Sequence, residues 1–159
     1  MPRGGAALLQ EEAMEALQQD LLPLAYMITP NIPEACRLLG IDQIRNEAEM
    51  QEAAKRLHEL GPAYILLKGG HMQGERSVDI LYDGRNMELL EAPRIDTPHT
   101  HGTGCTLSAA ITAELAKGRS ALEAAAAGKE YITAAIRHAL AIGGGIGPTN
   151  HAAYRLYNN

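Results

Sequence analysis

The chain has 159 residues with a formal net charge of −5, and 46% of it is apolar although Phe and Trp are absent and Tyr occurs six times. That length fits one domain with a substantial core, here assembled from Ala, Leu, Ile, Met and Val. The acidic balance excludes the basic footprint of a nucleic-acid or anionic-membrane binder, no apolar run approaches the ~20 residues of a membrane span, and the first residues do not read as a signal peptide.

Two cysteines, Cys36 and Cys105, stand in dissimilar contexts without paired spacing. They fit reduced thiols better than a disulfide framework, so a soluble cytoplasmic protein is expected.

In chain order, residues 1–7 are Gly-rich and predict a frayed end. From Leu8 to Leu22, Leu9, Ala13, Ala16, Leu17 and Leu21 recur at helical spacing, and Pro23 ends the helix. Residues 25–29 predict a short buried strand closed by Pro30. Asn31 is placed to cap a helix over 33–39, with Pro33 in its first turn and Gly40 at its C′ position. Asn46 caps a second helix over 47–60, whose buried stripe is Ala48, Ala53, Ala54, Leu57 and Leu60, and Gly61-Pro62 ends it. Residues 63–68 predict another buried strand, leading into Gly69-Gly70-His71.

Strand, helix and strand at this spacing predict a parallel pair with a right-handed crossover. Residues 77–82 and 87–91 flank Asp83-Gly84-Arg85-Asn86 and read as a hairpin. Residues 105–117 predict a helix closed by Gly118, and Ser120 with Glu123 forms a capping box for an Ala-rich helix reaching about residue 140. Residues 143–148 are a loop, with a final helical turn after it. Neither an internal repeat nor a long linker divides the chain, so residues 1–159 are read as a single domain.

The chemistry concentrates in His99-Thr100-His101-Gly102-Thr103-Gly104-Cys105, which runs straight into the helix formers of residues 106–111. A two-glycine loop on a helix N-terminus offers backbone N–H groups without intrahelical partners, a partial positive charge and close backbone approach. Such a loop can hold a phosphate, and the same field favours the thiolate of Cys105. An ordinary connection carrying a small buried cysteine satisfies the same pattern.

Other residues keep two readings as well. Asn31 and Glu34 suit Mg²⁺ held through water, or simply a helix cap. Lys68 suits a phosphate, or a strand end in solvent. Neither a P-loop nor a dinucleotide fingerprint is present. His71, His99, His101, His151 and Cys105 lack zinc-ligand spacing. A Cys–His hydrolase at Cys105 meets the minimum requirement but leaves Asn31, Glu34 and Lys68 without a role.

Taken together, Thr29-Pro30-Asn31-x-x-Glu34-Ala35, Lys68-Gly69-Gly70-His71 and Asp96-Thr97-x-x-Thr100-His101-Gly102-Thr103-Gly104-Cys105 resemble the ribokinase-like superfamily. With Gly147-Pro148-Thr149-Asn150-His151 at the end, they are similar to the hydroxymethylpyrimidine/phosphomethylpyrimidine kinases of thiamine biosynthesis, in family order over nearly the whole chain. The resemblance implies a three-layer α/β ribokinase-like fold, here a partial parallel sheet plus a β-hairpin flanked by helices. It implies ATP and Mg²⁺ as cofactors, and phosphorylation of 4-amino-5-hydroxymethyl-2-methylpyrimidine and then of its monophosphate. Gly102, Thr103 and Gly104 would form the anion hole. Cys105 would take the position of the catalytic base, where many superfamily members carry Asp and this branch carries Cys. Asn31 and Glu34 would stand near Mg²⁺, Lys68, Asp96 and Thr97 on the nucleotide side, and Lys129 with the Gly-rich loop at Gly145 close to adenine.

A pyridoxal kinase of the same superfamily and a non-catalytic nucleotide-binding remnant are the alternatives. Members of the family are longer, and their N-terminal half supplies the acceptor pocket and the first strands. Residues 1–159 would then be the C-terminal, nucleotide-binding half. The strand near Tyr26 would form a bare apolar edge, which invites self-association. Little turnover by the isolated chain is expected.

Overall fold

The computed structural model describes residues 11–70, 72 and 74–157; the expectations for residues 1–10 and for His71 lie outside them. Helix α1 (Glu11–Ala16) widens into a π-helical stretch over Leu17–Leu21 and tightens into a 3₁₀ turn over Leu22–Leu24. Pro23 therefore sits inside the last turn, where its missing N–H forfeits no ladder bond.

Strand β1 (Met27–Ile28) is followed by α2 (Ile32–Leu39), α3 (Glu47–His58) and β2 (Tyr64–Lys68). The caps are those the sequence suggests. Asn31 Oδ1 accepts from the Glu34 N–H and Glu34 Oε2 from the Asn31 N–H, both at 2.8 Å, and Asn46 Oδ1 accepts from the Glu49 N–H at 2.9 Å. Gly40 ends α2 at φ +62°, a left-handed turn that costs glycine nothing. β1 and β2 are parallel, Met27 opposite Tyr64 and Ile28 opposite Ile65, so α2 and α3 form the crossover.

Strands β3 (Arg76–Tyr82) and β4 (Met87–Pro93) form the hairpin, tightened where Asp83 Oδ1 accepts from the Arg85 and Asn86 N–H groups. The hairpin is not a separate unit. β3 runs antiparallel to β2 and gives one four-stranded sheet in the order β1-β2-β3-β4. Then come α4 (Thr103–Ala116), α5 (Ala121–Arg137) and α6 (Ala153–Tyr157). α5 stops short of residue 140 because His138 leaves the helical region at φ −109°, ψ 31°.

Alternation along the strands makes three layers. Ile65, Leu67 and Ile80 pack against Ala35, Met50, Ala53, Ala54 and Leu57 of α2 and α3. Leu66 and Leu81 face the other way, against Leu107, Ile111, Ala124, Ala125, Ile132 and Ala135 of α4 and α5. Burying each Leu or Ile contributes ~1.5–3 kcal/mol. The small residues of α5 admit close contact. A Cβ on Gly128 would lie 2.6 Å from Ile111 Cγ1, so α4 and α5 meet there backbone to side chain. Held on both faces, β2 is the rigid element that delivers Lys68. β1, by contrast, is an edge of two residues, flanked by Leu24 at 82% and Tyr26 at 53% exposure.

Candidate active site

Both parallel strands point their carboxyl ends the same way, the end at which α/β sheets bind ligands. β1 runs into Thr29-Pro30-Asn31 and β2 into Lys68-Gly69-Gly70. The Lys68 N–H donates to the Pro30 carbonyl at 2.9 Å, and Asn31 and Lys68 form a parallel bridge. Helix α4 begins at the same place. Thr29 Oγ1 and Ser108 Oγ share a hydrogen bond of 3.0 Å, and Ser108 Oγ also donates to the Gly104 carbonyl at 3.1 Å.

Unlike α2, α3 and α5, α4 is capped by no side chain, because its N-cap is Gly102 at φ +83°. A β-carbon would find open space there, so the glycine is required by the left-handed backbone alone. Thr103 turns both its N–H and its hydroxyl onto the Thr100 carbonyl. Thr106 is the first residue to bond back into the helix, to Gly102 O at 2.9 Å. The N–H groups of Gly104 and Cys105 therefore precede the helical ladder and keep its positive end. A Cβ on Gly104 would stand 3.4 Å from Lys68 Nζ, which places the ammonium directly over this turn. Cys105 is exposed beside it, whereas Cys36 is buried in the core. Amides, helix dipole and ammonium converge on one small space, an arrangement suited to an anion.

A second segment straps the loop from outside. The His101 N–H donates to Gly147 O at 3.2 Å, the Thr149 N–H to His101 O at 3.3 Å, and the Gly147 N–H to His99 Nδ1 at 3.0 Å. As an acceptor, that ring nitrogen carries no proton. Any side chain on Gly147 would collide with the Leu140 carbonyl and the His99 ring. Thr106 Oγ1 bonds His151 Nε2 at 3.0 Å, and the Tyr131 hydroxyl holds the His151 carbonyl at 2.6 Å. Thr97 Oγ1 accepts from the His99 N–H at 3.2 Å, which ties Thr97 into the strap. Asp96 is exposed in the segment between β4 and the loop, and Gly145 lies exposed in the Gly-rich turn.

Lys129, expected beside adenine, is buried, with its ammonium 2.6 Å from Asp79 Oδ2 and bonded to Ser77 O at 3.1 Å and Ser77 Oγ at 3.3 Å. All three of its donors are used, which leaves none for a nucleotide. Two residues not singled out in the sequence support the β2 end. Asp79 Oδ1 accepts from the Gly69 N–H at 2.9 Å, and Arg94 donates to the carbonyls of Gly70, Met72 and Gly74. The signal for Asp79 was a carboxylate inside the apolar run Val78-Asp79-Ile80-Leu81, and Arg94 gave none. Buried charges of that kind demand partners.

Among the described residues no group of three or more His, Cys, Asp and Glu side chains is placed to hold a metal ion. His99 and His151 are bonded to Gly147 and Thr106 rather than to the Cys105 sulfur. Asn31 and Glu34 are closed into their capping box, and the Asn31 backbone bridges to Lys68.

The family model described as phosphomethylpyrimidine kinase matches residues 1–150. The hydroxymethylpyrimidine/phosphomethylpyrimidine kinase of Haemophilus influenzae is 54% identical over 157 residues, which cover 96% of this chain and 58% of that protein. The pyridoxine kinase of Bacillus subtilis is 49% identical over 155 residues, 97% of this chain and 57% of its own. Among solved structures, the pyridoxal kinase from Staphylococcus aureus in complex with AMP-PCP and pyridoxal matches with a TM-score of 0.91 at 33% identity, covering 96% of this chain and 57% of that one. The chain thus spans a little over half the length of these three relatives.

Proposed function

Because the chain belongs to the phosphomethylpyrimidine kinase family, we propose that it binds ATP against the amino end of α4 and serves transfer of the terminal phosphoryl group to the hydroxymethyl group of a pyrimidine. The observation that carries this reading is the Lys68 ammonium, 3.4 Å from the Cβ position of Gly104, above a helix end without a side-chain cap.

In the proposed reaction the acceptor hydroxyl oxygen bonds to the γ-phosphorus as the bond to the β–γ bridging oxygen breaks, and ADP departs with that electron pair. Such transfers need positioning and charge stabilisation more than covalent help. The turn formed by Gly102, Thr103 and Gly104 presents the N–H groups of Gly104 and Cys105 to the transferring oxygens, and Lys68 adds a point charge. Cys105, exposed at the same turn, is the group positioned to take the hydroxyl proton. Asp96, Thr97 and the turn at Gly145 flank the nucleotide side. Asn31 and Glu34 fit Mg²⁺ through its retained water, because both present hard oxygen atoms at the helix start that follows β1. When bound, magnesium neutralises phosphate charge.

Pyridoxal is the second acceptor to consider, since a pyridoxine kinase and pyridoxal kinases also match this chain. A second copy pairing along the β1 edge is the proposed partner and the cytoplasm the proposed location. No helix among the described residues is long and apolar enough to cross a membrane. Calorimetric titration with Mg·ATP, followed by turnover with hydroxymethylpyrimidine and with pyridoxal, tests the reading. Nucleotide binding that Lys68→Met weakens supports it. Absence of binding refutes it, and binding without turnover of either acceptor leaves a nucleotide-binding module.

A further inference from the structure

Lys68 and Asp79 stand directly opposite each other in the β2–β3 pair. Cross-strand partners share a sheet face with Cβ atoms ~4.5–5.5 Å apart, and opposite charges so placed attract. By that rule Lys68 should turn onto Asp79. It does not: α5 brings a second cation to the same carboxylate. Lys129 Nζ lies 2.6 Å from Asp79 Oδ2, inside the layer, with Asp79 4% and Lys129 9% exposed. The other carboxylate oxygen holds the Gly69 N–H at 2.9 Å. Both oxygens of Asp79 are thereby occupied, and the Lys68 ammonium extends to Gly104 instead.

We propose that Lys129 is a positioning residue that acts through Lys68. It satisfies the carboxylate that would otherwise capture the Lys68 ammonium, and so keeps that charge free for the phosphates. The inference rests on the ATP site proposed above and adds a residue to it. Asp79 is the switch between the two arrangements: paired with Lys129 it holds the Gly69 turn, and deprived of Lys129 it draws Lys68 away from α4.

The test uses Lys129→Met and the double variant Asp79→Asn with Lys129→Met, titrated with Mg·ATP and with Mg·ADP. Removing Lys129 is expected to lower ATP affinity about tenfold or more, the worth of one charge-assisted hydrogen bond, with a smaller change for ADP. The added Asp79→Asn is expected to restore ATP affinity, since a neutral amide no longer competes for Lys68. Lys129→Arg should bind like the wild type. A merely structural lysine would depress both nucleotides alike, and neutralising its partner would not restore ATP selectively. ATP binding unchanged in folded Lys129→Met, equal losses for ATP and ADP, or no recovery in the double variant would overturn the proposal while leaving the ATP site intact. Failure of both Lys129→Met and Lys129→Gln to fold would overturn it as well, since the lysine would then serve stability alone. A wild-type chain that binds no ATP removes the site itself.

Discussion

Gly104→Ala separates a glycine kept for folding from one kept for a ligand. Gly104 lies in the first turn of α4 outside the positive-φ glycines, so alanine fits its backbone. Apart from its chain neighbours and the helix's own backbone, the added methyl would meet Lys68 Nζ alone within 4 Å, at 3.4 Å, and that ammonium ends a flexible side chain. Replacing a compatible glycine by alanine stabilises by ~0.4–1 kcal/mol through the unfolded chain. For a domain of this size that raises Tm by about 1–4 °C. The same methyl occupies the space between the turn and Lys68. A phosphate oxygen must come within ~3 Å of an amide nitrogen to bond it, and the loss of one charge-assisted bond costs ~1.5–3 kcal/mol. ATP affinity should therefore fall at least about tenfold in a protein that melts higher. Thermal melts and calorimetric titration on the same sample read both quantities. Unchanged ATP affinity would show that no phosphate enters this turn, and a lowered Tm would show that the glycine is needed by the fold.

Thiol labelling of the native chain should modify Cys105 quickly and Cys36 only on unfolding, because Cys36 is 9% exposed within the core and burial pushes its thiol up. Saturating Mg·ATP should slow the Cys105 reaction; equal rates with and without nucleotide would place the thiol outside the site. At the hairpin, the Asn86 N–H and side-chain amide, with the Arg85 N–H, hold Asp83 down from 3.8 to about 2. A folded value below the unfolded one means that this stabilisation is complete above ~3.8 and is lost as pH falls through about 2. Titration of the Asp83 carboxyl by NMR should show that midpoint, and Asp83→Asn should remove this part of the acid dependence. Sedimentation velocity should show self-association that grows with concentration and is weakened by a lysine at Leu24, whose side chain is 82% exposed beside β1. A monomer at all concentrations would contradict pairing through that edge.

Local signals were legible and long-range ones were not. Asn31 with Glu34, Asn46, Ser120 with Glu123 and Gly40 mark their helix ends with side chains and glycine conformations, and these act within three or four residues. Asp83-Gly84-Arg85-Asn86 likewise declares its own turn. The α4 loop was readable because its glycines, its cysteine and the helix formers after it are contiguous. The Lys129–Asp79 pair is invisible in the sequence because its members lie 50 positions apart on different elements, and composition cannot show which charge a buried lysine meets. The grip of Arg94 on three carbonyls and the bond from Gly147 to His99, 48 positions apart, have the same character. They use the backbone as partner, and backbone groups leave no mark in a sequence. The end of α5 at Arg137 rather than near residue 140 reflects the Pro148 carbonyl, which takes the Leu140 N–H out of the helix.

The central claim is that the first-turn amides of α4 hold a phosphate. Amide NMR spectra of the chain titrated with Mg·AMP-PCP read those groups one by one. The largest shifts are expected at Gly104 and Cys105, accompanied by Lys68, and in Gly104→Ala they should need at least about tenfold more ligand. Saturable binding that leaves these amides unmoved would contradict the claim, however tightly the nucleotide is held.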